Sequence, residues 1–250
     1  MNQEEQQKQV WDQLWSNKET GGGHQWDPLS DTIYNEILKL LPADRPATLL
    51  EAGSGTGRIS LRLAADGAEV TLVDYSAGAI SNSQRLFQSQ QQSGRFILSD
   101  IRNINLPDGE LDIVWNSGVL EHFDKDQQIA ILKEMKRLTK PGGTVLVLTP
   151  SARSLPYLVG KFAAEQQGTW MYGTEHPVWS LQEVFAASGL ELLPEYHIGF
   201  ENSLDFLDFI GGAQPVKEWM RRWYQSLPDE ARDVFAGYLL VSKGNRPLEG

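Results

Sequence analysis

Short apolar runs alternate with helical patterns along the middle of the chain. Runs rich in β-branched and aliphatic residues predict buried strands. These runs are TLLEA (48–52), EVTLV (69–73), RFILSD (95–100), LDIVWNSG (111–118) and TVLVLTP (144–150). The segments RISLRLAADG, AGAISNSQRLFQSQ and KDQQIAILKEMKRLTK, the last stopped by Pro141-Gly142-Gly143, mix apolar with polar residues and predict helices. This alternation predicts a mostly parallel sheet with helices on both faces.

The C-terminal part of the chain continues the pattern with interruptions. SLQEVFAASGLELLPEYHIGF predicts a helix, a glycine stop and a sixth strand, and GYLLVSKGN predicts a seventh, antiparallel edge strand. The expected fold is therefore α/β, with a mostly parallel seven-stranded sheet. Residues 1–45 and 201–235 fall outside the alternation and are rich in aromatic residues. We expect the first to form an N-terminal helical lid and the second a helical insertion before the last strand, although both could simply complete the core.

We expect one main domain at residues 46–250, preceded by the lid at 1–45 and divided into halves at 46–150 and 151–250. At 250 residues, two independent domains would be cramped. The chain shows no signal peptide and no apolar run long enough to span a membrane, which predicts a cytoplasmic protein without membrane insertion. A monomer and a homodimer fit the sequence equally well.

Composition excludes several kinds of chemistry. The chain has no cysteine, so disulfides, thiolate metal sites and cysteine nucleophiles are excluded. The formal charge of −11, from 22 basic and 33 acidic side chains, repels a phosphate backbone. Nucleic acid is therefore disfavoured as a partner, although a local basic groove stays possible.

The turn after the first strand, Gly53-Ser54-Gly55-Thr56-Gly57, indicates a ligand site. Alternate glycines between a strand and a helix allow a sharp turn and let a ligand approach bare backbone. A dinucleotide fingerprint requires a glycine where this chain has Arg58, and a P-loop requires a Gly-Lys-Ser/Thr that is absent. A nucleoside-bearing ligand without a pyrophosphate remains.

Two carboxylates support that interpretation. Asp74 ends the second predicted strand, where an acid can accept hydrogen bonds from both hydroxyls of a ribose. Asp100 ends the third, and in a parallel sheet it would point into the same crevice. Each residue alone could be a turn former or a cap. The glycine turn and both acids, each at the carboxyl end of a strand, together predict a nucleoside site.

Five successive segments resemble the motifs of the class I S-adenosylmethionine-dependent methyltransferase family, of the small-molecule or ubiquinone-biosynthesis-like type. They are LLEAGSGTGRIS, VTLVDYS, FILSDI, DIVWNSGVLEHF and LKEMKRLTKPGGTVLVLTP. The resemblance covers residues 46–150 and, more loosely, TEHPVWSLQEVFAASGLELL. It implies a Rossmann-like fold, S-adenosylmethionine as cofactor with S-adenosylhomocysteine as product, a cofactor half at 46–150 and an acceptor half at 151–250.

The resemblance also implies roles for individual residues. The loop around the methionine and ribose portions would consist of Glu51, Gly53, Ser54, Gly55, Thr56 and Gly57. Asp74 would bind the ribose hydroxyls, with Tyr75 and Ser76 next to the adenosine. Asp100 and Ile101 would meet the adenine. The methionine and sulfonium end would be lined by Asn116, Ser117 and Gly118. A local structural role is the alternative for each; Glu51, for example, could bond loop amides.

Methyl transfer from a sulfonium chiefly requires positioning, with a base only where the acceptor is protonated. His176 and His122 are the candidate bases, and a structural role is the alternative for His122. His24, in the glycine-rich GGGHQW segment, could belong to the lid, and His197 is expected to be an ordinary strand residue. Glu121 and Asp124 are read as helix-entry caps as readily as catalytic acids.

We predict no metal, because no compact Asp-Asp-Asn cluster follows the fourth predicted strand. The adjacent pairs Glu121-His122 and Glu175-His176 would be poor chelators without partners from elsewhere.

Aromatic residues outside the sheet predict an enclosed apolar pocket for a small organic acceptor, with O-methylation ahead of N-methylation. The aromatic residues are Trp170, Tyr172, Trp179, Phe206, Phe209, Trp219, Trp223 and Tyr224, and the apolar Met171 lies among them. The alternatives are a protein or tRNA acceptor, with the acidic balance counting against tRNA, and a catalytically silent S-adenosylmethionine-binding module. An NAD-dependent oxidoreductase is disfavoured by Arg58 and by the lack of an evident Tyr-x-x-x-Lys pair.

Overall fold

The computed structural model describes residues 3–17 and 26–248. Its strands are β1 (Thr48–Ala52), β2 (Glu69–Asp74), β3 (Arg95–Leu98), β4 (Leu111–Ser117), β5 (Thr139–Pro150), β6 (Glu191–Leu192), β7 (Tyr196–Ile198) and β8 (Leu239–Asn245). Its helices are α1 (Gln3–Asn17), α2 (Pro28–Leu38), α3 (Arg58–Ala65), α4 (Ala77–Ser89), α5 (Lys125–Leu138), α6 (Leu155–Gln166), α7 (Gln182–Ser188), α8 (Phe200–Ser203), α9 (Gln214–Ser226) and α10 (Asp229–Arg232). In the described ranges, 3₁₀ segments occupy Leu120–His122 and Leu204–Phe209.

The strands form one mixed sheet in the order β3-β2-β1-β4-β5-β8-β6, with β7 also paired to β8. Strands β1 to β5 are parallel, and β8 runs antiparallel to β5. The predicted α/β class and mostly parallel sheet are confirmed.

The strand count differs from the predicted seven, because the sixth predicted strand is interrupted. β6 pairs with Gly244 and Asn245, and β7 pairs with Leu239 to Val241, so both lie along the same edge of β8. Pro194 stands between them and has no N–H to donate to the ladder. The described residues therefore contain eight strands, two of them pieces of one edge.

The junction between α5 and β5 also differs from the prediction. The helix was expected to continue to Pro141, but it ends at Leu138, and Thr139 is already extended with φ −75° and ψ 139°. Thr139 pairs with Leu111 of β4, so β5 starts before Pro141. The residue preceding a proline is disfavoured in the helical region, which contributes to this early end.

Apolar side chains alternate between the two faces of the sheet and form two separate cores. One core joins Leu50 and Val114 to Ile131 and Met135 of α5 and to Phe185 of α7. The other joins Leu49, Ile113 and Trp115 to residues of α2 and α3. Layers on both faces hold the carboxyl ends of the parallel strands in fixed positions, and the site lies at those ends.

The predicted insertion before the last strand is present and helical, spanning α8, the 3₁₀ segment at 204–209, α9 and α10. It has a small core of its own around Phe200, Leu204 and Leu207. Among the described residues, no helix has both the length and the hydrophobicity to cross a lipid bilayer.

Candidate active site

A cavity of about 1190 Å³ lies at the carboxyl ends of β1, β2 and β4, and α1 contributes part of its wall. The strand order reverses between β1 and β4, which is the point where open parallel sheets place their ligand crevice. Pockets for drug-sized molecules usually measure about 300–1000 Å³, so this cavity is large enough for an extended ligand or for two smaller ones.

The glycine turn forms one side of the cavity, and its backbone requires glycine. Gly53 and Gly55 have φ values of 83° and 49°, in the left-handed region. A Cβ atom on Gly53 would lie 2.7 Å from a methyl group of Val119, and one on Gly55 would lie 2.7 Å from the ring of Trp15. Thr56 also lines the cavity. The hydroxyl of Ser54 is buried without a hydrogen-bond partner among the described residues, so the turn has an unused polar group.

Asp74 lies at the end of β2 and is held by the backbone. Its Oδ2 accepts a hydrogen bond of 2.9 Å from the Gly55 N–H, and its Oδ1 accepts one of 2.9 Å from the Ser76 N–H. Burial raises the pKa of Asp74, and these backbone hydrogen bonds oppose the rise. The Tyr75 N–H also bonds to this carboxylate, which has about four lone-pair sites, so Asp74 can still accept a hydrogen bond from a ligand.

Glu51 is the second carboxylate beside the turn. Its Oε2 accepts a hydrogen bond of 2.5 Å from the Ser60 hydroxyl. Burial raises the pKa of Glu51 to about 8 against that hydrogen bond, and the neighbouring Asp74 adds to the rise. Glu51 therefore holds its proton at neutral pH and keeps a second full negative charge out of the site.

Asp100 lies two residues beyond β3 and lines the cavity together with Ile101 and Tyr75. It forms an ion pair of 2.6 Å with Arg102. Burial would raise its pKa, but the hydrogen bonds from Arg102 hold the pKa of Asp100 below its usual value. Asp100 is thus a charged residue at the half-exposed rim.

Three residues predicted to touch the cofactor do not line the cavity, although Ser117 and Gly118 do. Gly57 caps α3 with φ 66°, and Ser76 caps α4 by accepting a hydrogen bond from the Ala79 N–H. Asn116 is fully buried, with its Nδ2 3.5 Å from the sulfur of Met135. These positions give the three residues local structural roles.

Both candidate histidines line the same part of the cavity, where the Leu120–His122 turn meets residues 172–176. The His176 N–H donates a 2.9 Å hydrogen bond to the Glu121 carbonyl. His122 Nδ1 lies 2.7 Å from the Thr174 carbonyl oxygen, which can only accept, so Nδ1 carries the hydrogen and Nε2 keeps a lone pair. Burial lowers the pKa of His122 to about 4, so its ring is neutral at neutral pH. His24 lies outside the described residues, and His197 is in β7 as expected.

Glu121 and Glu175 are buried at this same end of the cavity and line it. Sequence reasoning left Glu121 open between a helix-entry cap and a catalytic acid and treated Glu175 only as half of a poor chelating pair, so it missed their convergence. The repeated Glu-His dipeptide was the signal that could have found them. Across residues 3–17 and 26–248, no group of three or more His, Cys, Asp or Glu side chains could hold a metal ion.

Few of the aromatic residues predicted to wall the pocket do so. Tyr172 lines the cavity, together with Trp11 and Trp15 of α1. Trp170 packs against Phe206 and Phe209 instead. Trp223 and Tyr224 pack on the core of the insertion, and Trp219 stacks on Trp223. Most of these rings therefore pack the extra helical segments against one another.

Residues 49–143 match a family described as "Methyltransferase domain". The malonyl-[acyl-carrier protein] O-methyltransferase of Enterobacter lignolyticus (strain SCF1) is 34% identical over 134 residues, which are 54% of this chain and 51% of that protein. Phosphoethanolamine N-methyltransferase 3 of Arabidopsis thaliana is 28% identical over 112 residues, 44% of this chain and 23% of that protein. The chain thus spans about half the length, or less, of these curated relatives.

Two solved structures match almost the whole chain. A geranyl diphosphate C-methyltransferase from Streptomyces coelicolor A3(2) superposes with a TM-score of 0.65 at 16% identity, covering 96% of this chain and 97% of that one. The [4+2]-cyclase SpnF superposes with a TM-score of 0.64 at 18% identity, covering 100% and 97%. At these identities the likeness shows the fold alone. The matched domain and the methyltransferase relatives identify residues 49–143 as a methyltransferase domain, and they support the class I S-adenosylmethionine-dependent methyltransferase family for this chain.

Proposed function

We propose that this protein transfers a methyl group from S-adenosylmethionine to a small organic acceptor. One observation carries the proposal: the glycine turn, Asp74 and Asp100 line the same cavity as both candidate histidines. A cavity that binds donor and acceptor together can hold them in the orientation that methyl transfer requires.

The residues at the strand ends fit the cofactor. Asp74 keeps acceptor capacity for the ribose beside its three backbone donors, and Ser54 has an unpaired buried hydroxyl in the turn. Asp100 and Ile101 would flank the adenine, with Tyr75 beside it, and Ser117 and Gly118 would lie near the methionine. Gly57, Ser76 and Asn116 would support these residues from behind. The cofactor supplies a methyl group already activated on a sulfonium.

The other residues of the cavity would hold the acceptor and exclude water. Trp15 lies on the glycine turn, and Trp11 packs edge-on against His122 with ring centroids 5.1 Å apart. His122 Nε2 has a lone pair that can take a proton, and His176 is the second candidate base. The low pKa of His122 makes it a weak base, so its part would be brief acceptance of a proton in a water-poor site.

The names of the relatives support a small acceptor, since one methylates a malonyl group on a carrier protein and another methylates phosphoethanolamine. A catalytically silent S-adenosylmethionine-binding module is the second candidate, because the fold alone does not imply methyl transfer: a [4+2]-cyclase shares it. Release of S-adenosylhomocysteine in the presence of an acceptor separates these two functions.

The proposal is tested by calorimetric titration with S-adenosylmethionine, S-adenosylhomocysteine and NAD. We expect the first two to bind and NAD not to bind. Asp74→Ala removes two charged hydrogen bonds to the ribose and should weaken S-adenosylhomocysteine binding at least about tenfold. Asp126→Ala, at an exposed position in the first turn of α5, is the matched control and should bind like the wild type.

Either of two results would contradict this assignment. Binding of NAD alone would remove the methyl donor from the mechanism. An Asp74→Ala variant with wild-type affinity for S-adenosylhomocysteine would show that the ribose lies elsewhere.

A further inference from the structure

Two carboxylates end the cavity where the Leu120–His122 turn meets residues 172–176. Glu121 is 1% exposed and Glu175 is 8% exposed, and both line the cavity. Tyr157 donates a hydrogen bond to Glu175. The backbone N–H groups of Val119 and of Glu121 itself bond to the Glu121 side chain, and its Oε1 is 3.8 Å from His122 Nε2. Its buried Oε2 has no hydrogen-bond partner among the described residues. An unsatisfied buried carboxylate oxygen is costly, and its position in a ligand cavity points to a donor brought by the ligand.

No cation of the described chain lines this end of the cavity. Lys161 acts on Glu175 from behind, but it does not line the cavity, and it is paired with Glu165 and lies 5.1 Å from the centroid of the Trp170 ring. The cations that do line the cavity are paired with other groups, although the charge of Arg58 also acts on the Tyr172 hydroxyl. Arg58 pairs with Asp27, Arg102 with Asp100, and Lys8 lies over the ring of Tyr75. The excess of negative groups at this end is therefore left for a ligand to balance.

Aromatic rings complete this end. Tyr172 and Tyr238 line the cavity. Burial raises the pKa of both hydroxyls, and the charge of Glu175 raises it further. Trp11 packs beside Tyr172, with ring centroids 6.3 Å apart. Carboxylates together with aromatic rings in a desolvated pocket are the groups that recognise ammonium cations.

We propose that Glu121, Glu175, Tyr172 and Tyr238 form an amine subsite, and that the methyl acceptor is an amine whose nitrogen binds there as its ammonium. This inference rests on the proposed methyltransferase function and specifies its substrate class. It reverses the order expected from the sequence, which put O-methylation ahead of N-methylation.

The subsite also supplies the proton chemistry that an amine requires. An ammonium nitrogen has no lone pair, so one N–H bond must break, with its electrons staying on nitrogen and its proton passing to a Glu121 carboxylate oxygen. The nitrogen then bonds the methyl carbon, while the electrons of the carbon–sulfur bond stay on sulfur. Positive charge passes from sulfur to the product amine, so atoms and charge balance.

The titration of the two acids agrees with this geometry. Burial raises the pKa of Glu121 well above its usual value, with the charge of Glu175 adding to it, and burial raises the pKa of Glu175 to about 6 against the Tyr157 hydrogen bond and Lys161. His122 is neutral near pH 7 and adds no opposing charge. An arriving ammonium favours the ionised acid, so amine binding near pH 7 should release protons from the protein.

A carboxylate or phosphate at the same place would meet the negative charge of Glu175 and the desolvated Glu121 without a lining cation to offset them. The subsite therefore selects against anionic acceptor groups as well as for amines. This double selection makes the inference testable with ligands that differ in one group only.

In the test, the protein is first saturated with S-adenosylhomocysteine. It is then titrated separately with phenethylamine, phenethyl alcohol and phenylacetate, which share an aromatic ring and differ in the polar group. We expect the amine to bind at least about tenfold more tightly than the alcohol, and the carboxylate to bind most weakly. Repeating the amine titration in buffers of different ionisation enthalpy should show proton release. Equal or tighter binding of the alcohol or the carboxylate overturns the subsite, and so does a loaded protein that binds none of the three.

Isosteric variants test whether Glu121 and Glu175 cause the selectivity for the amine. Glu121→Gln and Glu175→Gln should each lower the ratio of amine to alcohol affinity several-fold, whereas Glu183→Gln, at an exposed residue paired with Lys125, should keep the wild-type ratio. If Glu121→Gln does not fold, Glu175→Gln carries the test. An unchanged ratio in the folded buried variants contradicts the proposal.

The affinity for S-adenosylhomocysteine is measured first in every protein. Failure to bind it would overturn the proposed function itself. Binding of it without amine selectivity would overturn only the amine subsite.

Discussion

At the scale of single residues, the main feature of the site is a set of buried carboxylates. Glu51, Asp74, Glu121 and Glu175 are all buried, and burial raises the pKa of each of them. Burial makes the charged form of each acid costlier, so each of them takes up a proton more readily than it would in water. They also give the cavity groups that can ionise when a polar or cationic ligand arrives.

Glu51 should make the ligand-free protein less stable as the pH rises. The folded protein keeps the Glu51 proton up to about pH 8, whereas the unfolded chain loses it near pH 4.5. Between those values the unfolded state binds fewer protons, so the free energy of unfolding falls by up to about 1.4 kcal/mol per pH unit from this group. Urea unfolding from pH 5 to pH 8 should show a shallower decline for Glu51→Gln than for the wild type.

The exposed Glu69 at the start of β2 provides the matched control, and Glu69→Gln should follow the wild-type pH profile. The other buried acids remain in all three proteins, so only the difference between the profiles is diagnostic. Parallel profiles for the wild type and Glu51→Gln would show that Glu51 is already ionised in the folded state.

The sequence predicted the residues that we propose for the cofactor more closely than those that we propose for the acceptor, and the reason is physical. Asp74 and the glycine turn follow strands of a regular alternation, and the carboxyl ends of parallel strands must meet. Glu121 and Glu175 lie in irregular segments more than fifty residues apart, and local pattern does not fix how such segments approach each other. Their burial depends on the packing of the whole acceptor half.

At the scale of secondary-structure elements, the acceptor half depends on a close crossing between α6 and the 3₁₀ segment at 204–209. A Cβ atom on Gly160 would lie 2.1 Å from the backbone oxygen of Phe206. Tyr157, one turn earlier in α6, is buried and bonded to Glu175. The crossing therefore positions part of the proposed amine subsite. No sequence pattern revealed it, because an isolated glycine in a helical segment has many explanations.

Gly160→Ala should destabilise the protein although alanine favours helices. Helix propensity would gain up to about 1 kcal/mol, but overpacking against a backbone that cannot rotate away costs about 1–3 kcal/mol or more. We expect a lower urea midpoint and weaker amine binding, with S-adenosylhomocysteine binding retained, because the cofactor residues lie in the other half. Gly211→Ala, where an added Cβ meets no atom within 4 Å, should leave the midpoint unchanged. A Gly160→Ala variant as stable as the wild type would mean that the crossing is loose.

At the scale of the whole molecule, α1 bridges the two halves across the cavity. Trp15 lies against Gly55 of the cofactor half, and its carbonyl accepts a hydrogen bond from Asn82 of α4. Gln7 reaches the acceptor half, where its Nε2 donates to the Tyr172 carbonyl and its Oε1 accepts from the Thr174 N–H. The sequence predicted a helical lid here. It could not predict which residues the helix contacts, because these contacts are tertiary and a polar helical pattern does not specify them.

This bridge predicts that α1 must move for ligands to enter and that it closes more firmly on bound ligand. Gln7→Ala removes two hydrogen bonds that join the halves, at a cost of about 1–3 kcal/mol, so hydrogen exchange of α1 amides should rise about tenfold or more. Saturation with S-adenosylhomocysteine at about one hundred times its dissociation constant should stabilise the folded state by about 2.7 kcal/mol and slow exchange in α1. Gln13→Ala, at an exposed position of the same helix, controls for the lost side chain and should exchange like the wild type. If both variants exchange alike, Gln7 does not hold the helix. If ligand stabilises the protein without protecting α1, the helix is not the lid, and the acceptor must enter by another face.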